Sequence, residues 1–350
     1  MSLHRRTVLG AAALALAGCD HRGLSLTAPG HLPPLKDVAQ FPVGTCVRSD
    51  FLADPAYAAL VETQVSQITP EWEMKMEYIV GDDGMFRFEA PDKIAAFAKA
   101  KGIRLFGHTL VWYIQKPKGF LNLDEAKTPF ATAYRNYIAT VVGRYRGQVV
   151  GWDVVNEAVA DEGDGLRDSL WSQKLGKLDH MTLAFHHARE ADPDAPLFLN
   201  DFYLELKPKK RAQYLRLAEA LLKAGAPLTG LGTQTHCGPE LPPGAIKAAI
   251  ADIASLGLPI HVSEMDVSPA RARGLFKSRA DLEAGQARVY AEAAEAFSSL
   301  PARQRFAFTH WGLRDKDSWL KHEDPTDTPL LFDDKGRPKA CAEAWERGLS

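Results

Sequence analysis

Short hydrophobic segments alternate with longer amphipathic segments along most of the chain. Apolar residues recur at helical spacing in the longer segments, as in residues 91–102, 208–225 and 281–297. The shorter segments are rich in β-branched and aromatic residues, which favours strands. They are residues 41–47, 65–69, 103–110, 149–155, 197–201, 228–234, 260–267 and 305–312. Eight strand-then-helix units predict a single α/β domain that closes into a (β/α)₈ barrel, or TIM barrel.

An open, doubly wound sheet is the alternative architecture for such a pattern. Open sheets that bind nucleotides carry glycine-rich fingerprints after an early strand. The chain contains neither GxGxxG nor GxxxxGK[ST], and it also lacks GxSxG and HExxH. Dinucleotide-binding, P-loop, α/β-hydrolase and zincin functions are therefore not leading interpretations.

The N-terminal residues 1–19 have the layout of an export signal. A basic start with Arg5 and Arg6 precedes a short apolar run and small residues before Cys19. The arginine pair resembles a twin-arginine signal, and LAGC resembles the lipobox of bacterial lipoproteins. We predict export to the periplasm or cell envelope, with possible membrane attachment through a lipidated Cys19. A plain cleaved signal or an unprocessed apolar anchor is the alternative.

The rest of the chain shows one change of composition. Residues 20–37 are polar and rich in proline, which indicates a flexible linker, and residues 38–350 are predicted to form the barrel. Beyond Cys19 there are three cysteines without CxxC spacing, so buried free thiols are expected rather than a zinc site. One disulfide is the alternative for two of these three residues, Cys46, Cys237 and Cys341.

The net charge of the chain indicates which kinds of binding partner to expect. The 350 residues carry a formal net charge of -2, which gives no reason to expect nucleic acid or an anionic membrane surface as a partner.

Polar and indole side chains occur at the C-terminal ends of most predicted strands. These ends meet at one face of a (β/α)₈ barrel, where active sites lie. One polar strand end is usually a solvated surface residue, but a ring of them indicates a site. The set comprises Glu71, Lys75, His108, Trp112, Asn156, Glu157, Asn200, Asp201, Gln234, His236, Glu264, Asp266 and Trp311.

Glu157 and Glu264 stand out because the fourth and seventh strands face each other across part of the barrel mouth. Two carboxylates about 5 to 5.5 Å apart can cleave a glycosidic bond with retention of configuration, whereas ~6.5 to 9.5 Å gives inversion. His236 can keep Glu264 ionised, and Asp266 can orient that imidazole. Asn156 can present its amide to a sugar 2-hydroxyl. The sequence leaves the separation of the carboxylates open.

Several segments resemble glycoside hydrolase family 10, the retaining endo-β-1,4-xylanases, in order and spacing. They are HTLVWY, WDVVNEA, RDSLW, DPDAPLFLNDF, GLGTQTH, SEMDVS, WGLRDKDSW and PLLFDDKGRPK, within a resemblance that extends from about Phe41 to Trp345. The resemblance implies that Glu157 is the acid/base and Glu264 the nucleophile. It implies xylan or xylo-oligosaccharides as the substrate and requires no cofactor or metal.

The resemblance also implies roles for neighbouring side chains. Asn156, Gln234, His236 and Asp266 would support the catalytic pair. Sugars on the non-reducing side of the cleaved bond would be held by polar residues and by indoles that line the cleft, although core packing is the alternative for each indole. This substrate-binding set comprises Glu71, Lys75, His108, Trp112, Trp311 and Trp319.

Four residues depart from the family pattern. Trp72 replaces an asparagine in the segment EWEMK, and Tyr113 stands where histidine is usual. Phe202 and Tyr203 belong to NDFY, where the family pattern is Asn-Asp-Tyr-Asn. The catalytic pair is unaffected, so we expect cleavage to be retained and the preference for long unsubstituted xylan to be weakened.

Three other functions fit parts of the sequence. A hydrolase on the same scaffold could act on another β-linked glycan or on short aryl glycosides, which the change at Trp72 favours. A non-catalytic carbohydrate-binding envelope lipoprotein would need neither Glu157 nor Glu264. A metal-dependent hydrolase using His186 and His187 is disfavoured because adjacent helical residues point to different faces. We expect a monomer.

Overall fold

A closed barrel of parallel strands forms the centre of the protein. The computed structural model describes residues 32–275 and 278–349, so the predicted signal, Cys19 and most of the predicted linker lie outside the described residues. The barrel strands in these ranges are β1 (Val43–Val47), β2 (Gln67–Pro70), β3 (Arg104–Trp112), β4 (Val149–Asn156), β5 (Leu197–Asp201), β6 (Gly230–Thr233), β8 (Ile260–Val267) and β9 (Arg305–His310), and β7 (His236–Cys237) is a short strand beside the end of β8.

Pairing between the first and last strands closes the barrel. Each strand from β1 to β5 pairs in parallel with the next, β6 pairs with β8, and β9 pairs with both β8 and β1. The closing register joins Val43 to Phe308. The predicted fold class is therefore confirmed, and β5 and β8 have the bounds that the sequence pattern predicts.

Helices follow the strands around the outside of the barrel. The three helical segments singled out in the sequence correspond to α4, α9 and α11. In the described ranges the helices are α1 (Leu35–Val38), α2 (Pro55–Gln64), α3 (Met76–Ile79), α4 (Glu89–Lys101), α5 (Lys118–Leu121), α6 (Phe130–Arg144), α7 (Leu170–Leu175), α8 (Asp179–Ala191), α9 (Pro208–Lys223), α10 (Ala245–Ala254), α11 (Arg279–Ser298) and α12 (Ala340–Arg347).

Local sequence explains where two of these helices begin and end. Pro208 opens α9, where its missing N–H costs no helical hydrogen bond. Gly102 ends α4 with φ 64°, a left-handed conformation in which its N–H reaches the last carbonyls of the helix. At the other end of the chain, α1 falls within the predicted linker, yet Leu35 is buried and its N–H donates to Gln64 Oε1 at 3.1 Å.

Aromatic rings fill the N-terminal end of the barrel. Phe106, Phe198, His261 and Phe306 come from four different strands and meet there, with ring centroids 4.5 Å apart for Phe106 and His261 and 4.6 Å apart for Phe198 and Phe306. Such a layer packs the interior of the barrel, so the cavity for chemistry lies at the opposite, C-terminal end.

Two further features of the described residues are the state of the cysteines and the apolar character of the helices. Cys46, Cys237 and Cys341 are buried free thiols, as predicted. Within the described ranges, no helix combines the length and the apolar character needed to cross a membrane.

Glycine is required where β3 passes beneath a tryptophan of β4. Gly107 pairs with Trp152 in the ladder, and the next pair joins His108 to Asp153. The fully buried Trp152 ring lies over Gly107, so a Cβ atom at residue 107 would overlap its six-membered ring. This contact fixes the register that aligns the following two residues.

We expect Gly107→Ala to lower the free energy of unfolding by about 1 to 3 kcal/mol, because Trp152 has no room to move. Urea denaturation measures the effect. Gly143→Ala is the matched control, since an added Cβ on this exposed residue of α6 meets no atom within 4 Å. It should raise stability by ~1 kcal/mol through helix propensity. Equal effects of the two substitutions would contradict the packing argument.

Candidate functional site

A cleft opens at the C-terminal ends of the strands. It encloses about 250 Å³, and most of the side chains predicted from the strand ends line it. Glu71, Asn200, Asp201 and Asp266 are not among the lining residues. The lining is formed by Lys75, His108, Trp112, Asn156, Glu157, Phe202, Tyr203, Gln234, His236, Glu264, Arg271, Trp311 and Trp319.

Glu157 is the first residue after β4, and its backbone is left-handed, with φ 58°. This conformation turns the chain out of the ladder and directs the carboxylate to the cleft. Three N–H groups hold the carboxylate. Trp112 Nε1 donates to Oε2 at 2.8 Å, while Asn156 Nδ2 and Gln234 Nε2 donate to Oε1 at 3.1 and 3.0 Å. Oε1 thus accepts two hydrogen bonds and Oε2 accepts one, so one lone pair of Oε2 is available for other contacts.

Glu264 lies on β8 and is almost completely buried, with 5% of its surface exposed. Asn200 Nδ2 donates to Oε1 at 2.9 Å, and His236 Nε2 lies 3.5 Å from Oε2. Burial by itself would raise the pKa of this carboxyl, but the positive charges of His108, His236 and Lys75 outweigh it and lower the pKa to about 2. Glu264 is therefore an ionised carboxylate at neutral pH.

His236 stands between two carboxylates. Its Nδ1 lies 2.9 Å from Asp266 Oδ2, which also accepts Trp319 Nε1 at 2.9 Å. Burial opposes the charged imidazolium, yet Asp266 and Glu264 together raise the pKa of His236 to about 10. The predicted supporting pair of Glu264 is thus found in hydrogen-bonding contact, with His236 as a cation.

His108 is a second buried imidazole close to Glu264. Its Nδ1 lies 2.8 Å from Asp153 Oδ2, and both residues are buried. Burial raises the pKa of Asp153 to about 6 against the attraction of His108. The register of β3 and β4 places these two residues opposite each other, so the pair is a product of strand alignment.

His108, Asp153 and Glu264 bring potential metal-ligand atoms within 4.8 Å of one another. Hydrogen bonds already engage these atoms: Asp153 engages His108 Nδ1, and Asn200 engages Glu264 Oε1. His108 and Asp153 are thus a hydrogen-bonded pair close to Glu264. His186 and His187 lie on α8 and do not line the cleft.

Amide side chains connect the two glutamates. Asn200 Nδ2 donates to both Glu264 Oε1 and Asn156 Oδ1, at 2.9 and 3.0 Å. Gln234 Nε2 lies 3.3 Å from Asn156 Oδ1 and 3.0 Å from Glu157 Oε1. The position of each carboxylate thus depends on the same three amides.

The three predicted tryptophans all line the cleft. Trp112 and Trp319 use their indole N–H groups on Glu157 and Asp266, and Lys75 Nζ lies 4.7 Å from the Trp112 ring centroid. Trp311 packs edge to face on His108 with centroids 5.4 Å apart. Each indole therefore combines a packing role with a surface in the cleft.

Three of the four departures from the family pattern lie together around Arg167. The Arg167 guanidinium lies 4.2 Å from the Tyr113 ring centroid and 5.5 Å from that of Phe202. Tyr203 packs on Phe202 with centroids 4.7 Å apart. These three residues therefore form one aromatic surface just beyond the ends of β3 and β5.

Trp72 and Glu71 lie outside the cleft lining, beyond Lys75. The Trp72 ring packs on Tyr78 with centroids 4.5 Å apart, and the Arg48 guanidinium lies 5.9 Å from its centroid. Burial raises the pKa of Glu71 to about 7 against the attraction of Arg48 and Lys75. The substituted residue Trp72 is thus held by contacts with Tyr78 and Arg48.

Sequence reasoning missed Asp153, Arg271 and the bridging role of Asn200. In the sequence, Asp153 is distinguished only as a charged residue within an apolar strand. Its partner, His108, is determined by the register between β3 and β4. Arg271 reaches the cleft from the segment after β8 and lies 2.9 Å from Glu323 Oε2. No local pattern in the sequence distinguishes Arg271 from a surface arginine.

Comparison with known proteins identifies relatives over nearly the whole chain. The family model described as "Glycosyl hydrolase family 10" matches residues 35–347. Endo-1,4-beta-xylanase of Geobacillus stearothermophilus is 36% identical over 323 residues, which cover 88% of this chain and 96% of that protein. Endo-1,4-beta-xylanase A of Thermotoga neapolitana is also 36% identical over 89% of this chain, but the chain spans only 30% of its length.

A solved structure shows the same architecture. Xylanase XynB from Paenibacillus barcinonensis, complexed with a conduramine derivative, superimposes with a TM-score of 0.82 and 32% identity. The match covers 91% of this chain and 99% of that one. The family resemblance found in the sequence is confirmed.

The environment of His236 predicts a pH-dependent contribution to stability. The folded-state pKa of about 10 lies above the ordinary 6.5, so the stabilisation is complete below pH 6.5 and is lost as pH rises towards 10. We expect the difference in free energy of unfolding between wild type and His236→Gln to shrink by a few kcal/mol, roughly, over this window. Urea denaturation at pH 6, 8 and 10 measures it. A constant difference would contradict an imidazolium at this position.

Proposed function

The chain belongs to glycosyl hydrolase family 10, and we propose that it hydrolyses internal β-1,4 bonds of xylan or xylo-oligosaccharides with retention of configuration. The observation that carries this proposal is the pairing of an ionised, buried Glu264 with a second carboxylate, Glu157, in one cleft. The names of the relatives support the substrate class.

In the first step of the proposed mechanism, a carboxylate oxygen of Glu264 attacks the anomeric carbon. Glu157 gives its proton to the glycosidic oxygen as the bond to the leaving sugar breaks. Glu264 is suited to this role because its charge is retained and Asn200 fixes one of its oxygens. The product is a glycosyl ester of Glu264 and a free sugar chain.

In the second step, Glu157 accepts a proton from a water molecule that attacks the same carbon. The ester bond breaks and Glu264 becomes a carboxylate again, while Glu157 regains its proton. Trp112 and Gln234 hold Glu157 in place for both steps. Two opposite displacements at one carbon give net retention.

Binding of the sugar chain follows from the lining of the cleft. Indole and phenyl faces suit the C–H faces of pyranose rings, and Asn156 presents an amide near the reacting carbon. Lys75 and His108 supply hydrogen-bond donors on the non-reducing side. Phe202 and Tyr203 add two further aromatic faces to the cleft.

We also propose that Trp72 weakens the preference for long unsubstituted chains. An indole packed on Tyr78 supplies neither the carbonyl nor the amide donors of the usual asparagine. This change also favours the second candidate function, hydrolysis of another β-linked glycan or of short aryl glycosides by the same catalytic pair.

We propose export to the cell envelope on the basis of residues 1–19 and the sequence LAGC. Mass spectrometry of the mature N-terminus, with Cys19→Ala for comparison, distinguishes a lipidated cysteine from a plain cleaved signal.

The proposed roles predict different effects of substituting the two glutamates. Glu264→Gln should abolish turnover of all β-xylosides because no nucleophile remains. Glu157→Ala should lower kcat on xylan by ~10² to 10⁴ while sparing aryl xylosides with good leaving groups, which need little protonation. Initial rates on both substrates measure this. Equal loss on both substrates for Glu157→Ala would contradict its role as the acid.

Trp72→Asn should increase the ratio of kcat/KM for xylohexaose to that for xylotetraose, because it restores an amide beyond the first sugar. Trp72→Phe is the matched control, since it keeps a ring without adding an amide, and its ratio should stay near that of wild type. Separation of the products by length gives the rates. A wild-type profile equal to that of the Geobacillus stearothermophilus enzyme would refute the proposed effect of Trp72.

A further inference from the structure

The ladder is interrupted between β6 and β7. The last pair before the interruption joins Thr233 to Val262, and the first pair after it joins His236 to Asp266. β8 advances by one residue more than its neighbour across this gap. Glu264 lies within the gap, and its N–H donates to the carbonyl of Gln234 at 3.2 Å.

Thr235 makes the turn within this interruption. Its φ of 60° is left-handed, which is an unfavourable conformation for a β-branched residue. The turn sends its two neighbours to different glutamates. Gln234 Nε2 donates to Glu157 Oε1 at 3.0 Å, and His236 Nε2 lies 3.5 Å from Glu264 Oε2.

Glu205 holds this turn from behind the cleft. Its Oε1 accepts the hydroxyl of Thr235 at 2.8 Å and the hydroxyl of Thr233 at 2.5 Å. Glu205 is buried and does not line the cleft, and its Oε2 has no hydrogen-bond partner among the described residues. A buried polar atom without a hydrogen-bond partner lowers the stability of the fold.

We propose that Glu205 is a positioning residue: by holding Thr235 in its left-handed conformation, it aims the two neighbouring side chains at the two catalytic carboxylates. Glu205 itself touches neither carboxylate. The proposal deepens the proposed function, on which it rests for the roles of Glu157 and Glu264. The contacts that carry it exist whatever the substrate.

Thr235→Val tests the proposal most directly, because it removes the hydroxyl and keeps the side-chain shape. Thr233→Val is the matched control: it removes the other hydroxyl from the same oxygen, but residue 233 contacts neither glutamate. Thr235→Asn is the rescue variant, because asparagine adopts the left-handed conformation without the bond to Glu205. Glu205→Leu removes the anchor itself, and thermal melting identifies any variant that fails to fold.

With 4-nitrophenyl β-xylobioside, we expect Thr235→Val to lower kcat by about 10- to 100-fold with little change in KM, since misplaced catalytic groups slow the chemistry. Thr233→Val should stay within about twofold of wild type. Thr235→Asn should recover most of the loss. In Thr235→Val, the acid limb of the pH profile of kcat/KM should move to higher pH. Glu264 loses the nearby cation His236, which lowers its pKa, while His108 and Lys75 remain.

The state of His236 gives a readout that does not require activity. In wild type, its ring should remain doubly protonated at pH 8 in ¹⁵N NMR spectra, whereas in folded Thr235→Val it should titrate closer to the ordinary range of histidine. An unchanged His236 signal together with an unmoved acid limb would overturn the proposal. Lack of wild-type turnover would refute the proposed function, and the NMR comparison would still decide the role of Glu205.

Discussion

Keeping a buried carboxylate ionised is the constraint on which this site depends. A charge removed from water costs several kcal/mol unless partners replace the lost hydration, and Glu264 is almost completely buried. Two imidazoles and Lys75 provide the compensation, and a buried aspartate backs each imidazole. These groups come from strands on several sides of the barrel. The barrel must therefore close for these groups to surround Glu264 and compensate its charge.

The hydrophobic pattern predicted the barrel because each element buries one continuous face. β5 and β8 begin and end where their apolar runs do. β6 is shorter than its predicted run, because Gln234 and Thr235 leave the ladder although both are buried. This interruption involves a tertiary contact, the hydrogen bond from Thr235 to Glu205. The hydrophobic periodicity of a strand does not predict such a contact.

The candidate site could be predicted where its functional side chains lie at the C-terminal ends of strands. The rule brought Glu157, Glu264 and their neighbours to one face before any coordinates were considered. It did not find Asp153, which lies inside β4 and gains its role only because the register places it opposite His108. Nor did it separate the surface of Tyr113, Phe202 and Tyr203 from the position of Trp72. Which side of a cleft a residue reaches depends on the order of strands around the barrel.

The amide bridge between the glutamates has a direction that its two ends impose. The glutamate oxygens at both ends accept hydrogen bonds, Glu264 Oε1 from Asn200 Nδ2 and Glu157 Oε1 from Gln234 Nε2, and Asn156 Oδ1 accepts from both of these amides. Ser263 Oγ, which donates to Asn200 Oδ1 at 2.8 Å, completes this orientation. In the proposed mechanism, Glu264 carries the negative charge before the reaction, and Glu157 carries it once Glu264 has been esterified. Each turnover would therefore move the negative charge from one end of this hydrogen-bonded bridge to the other and back.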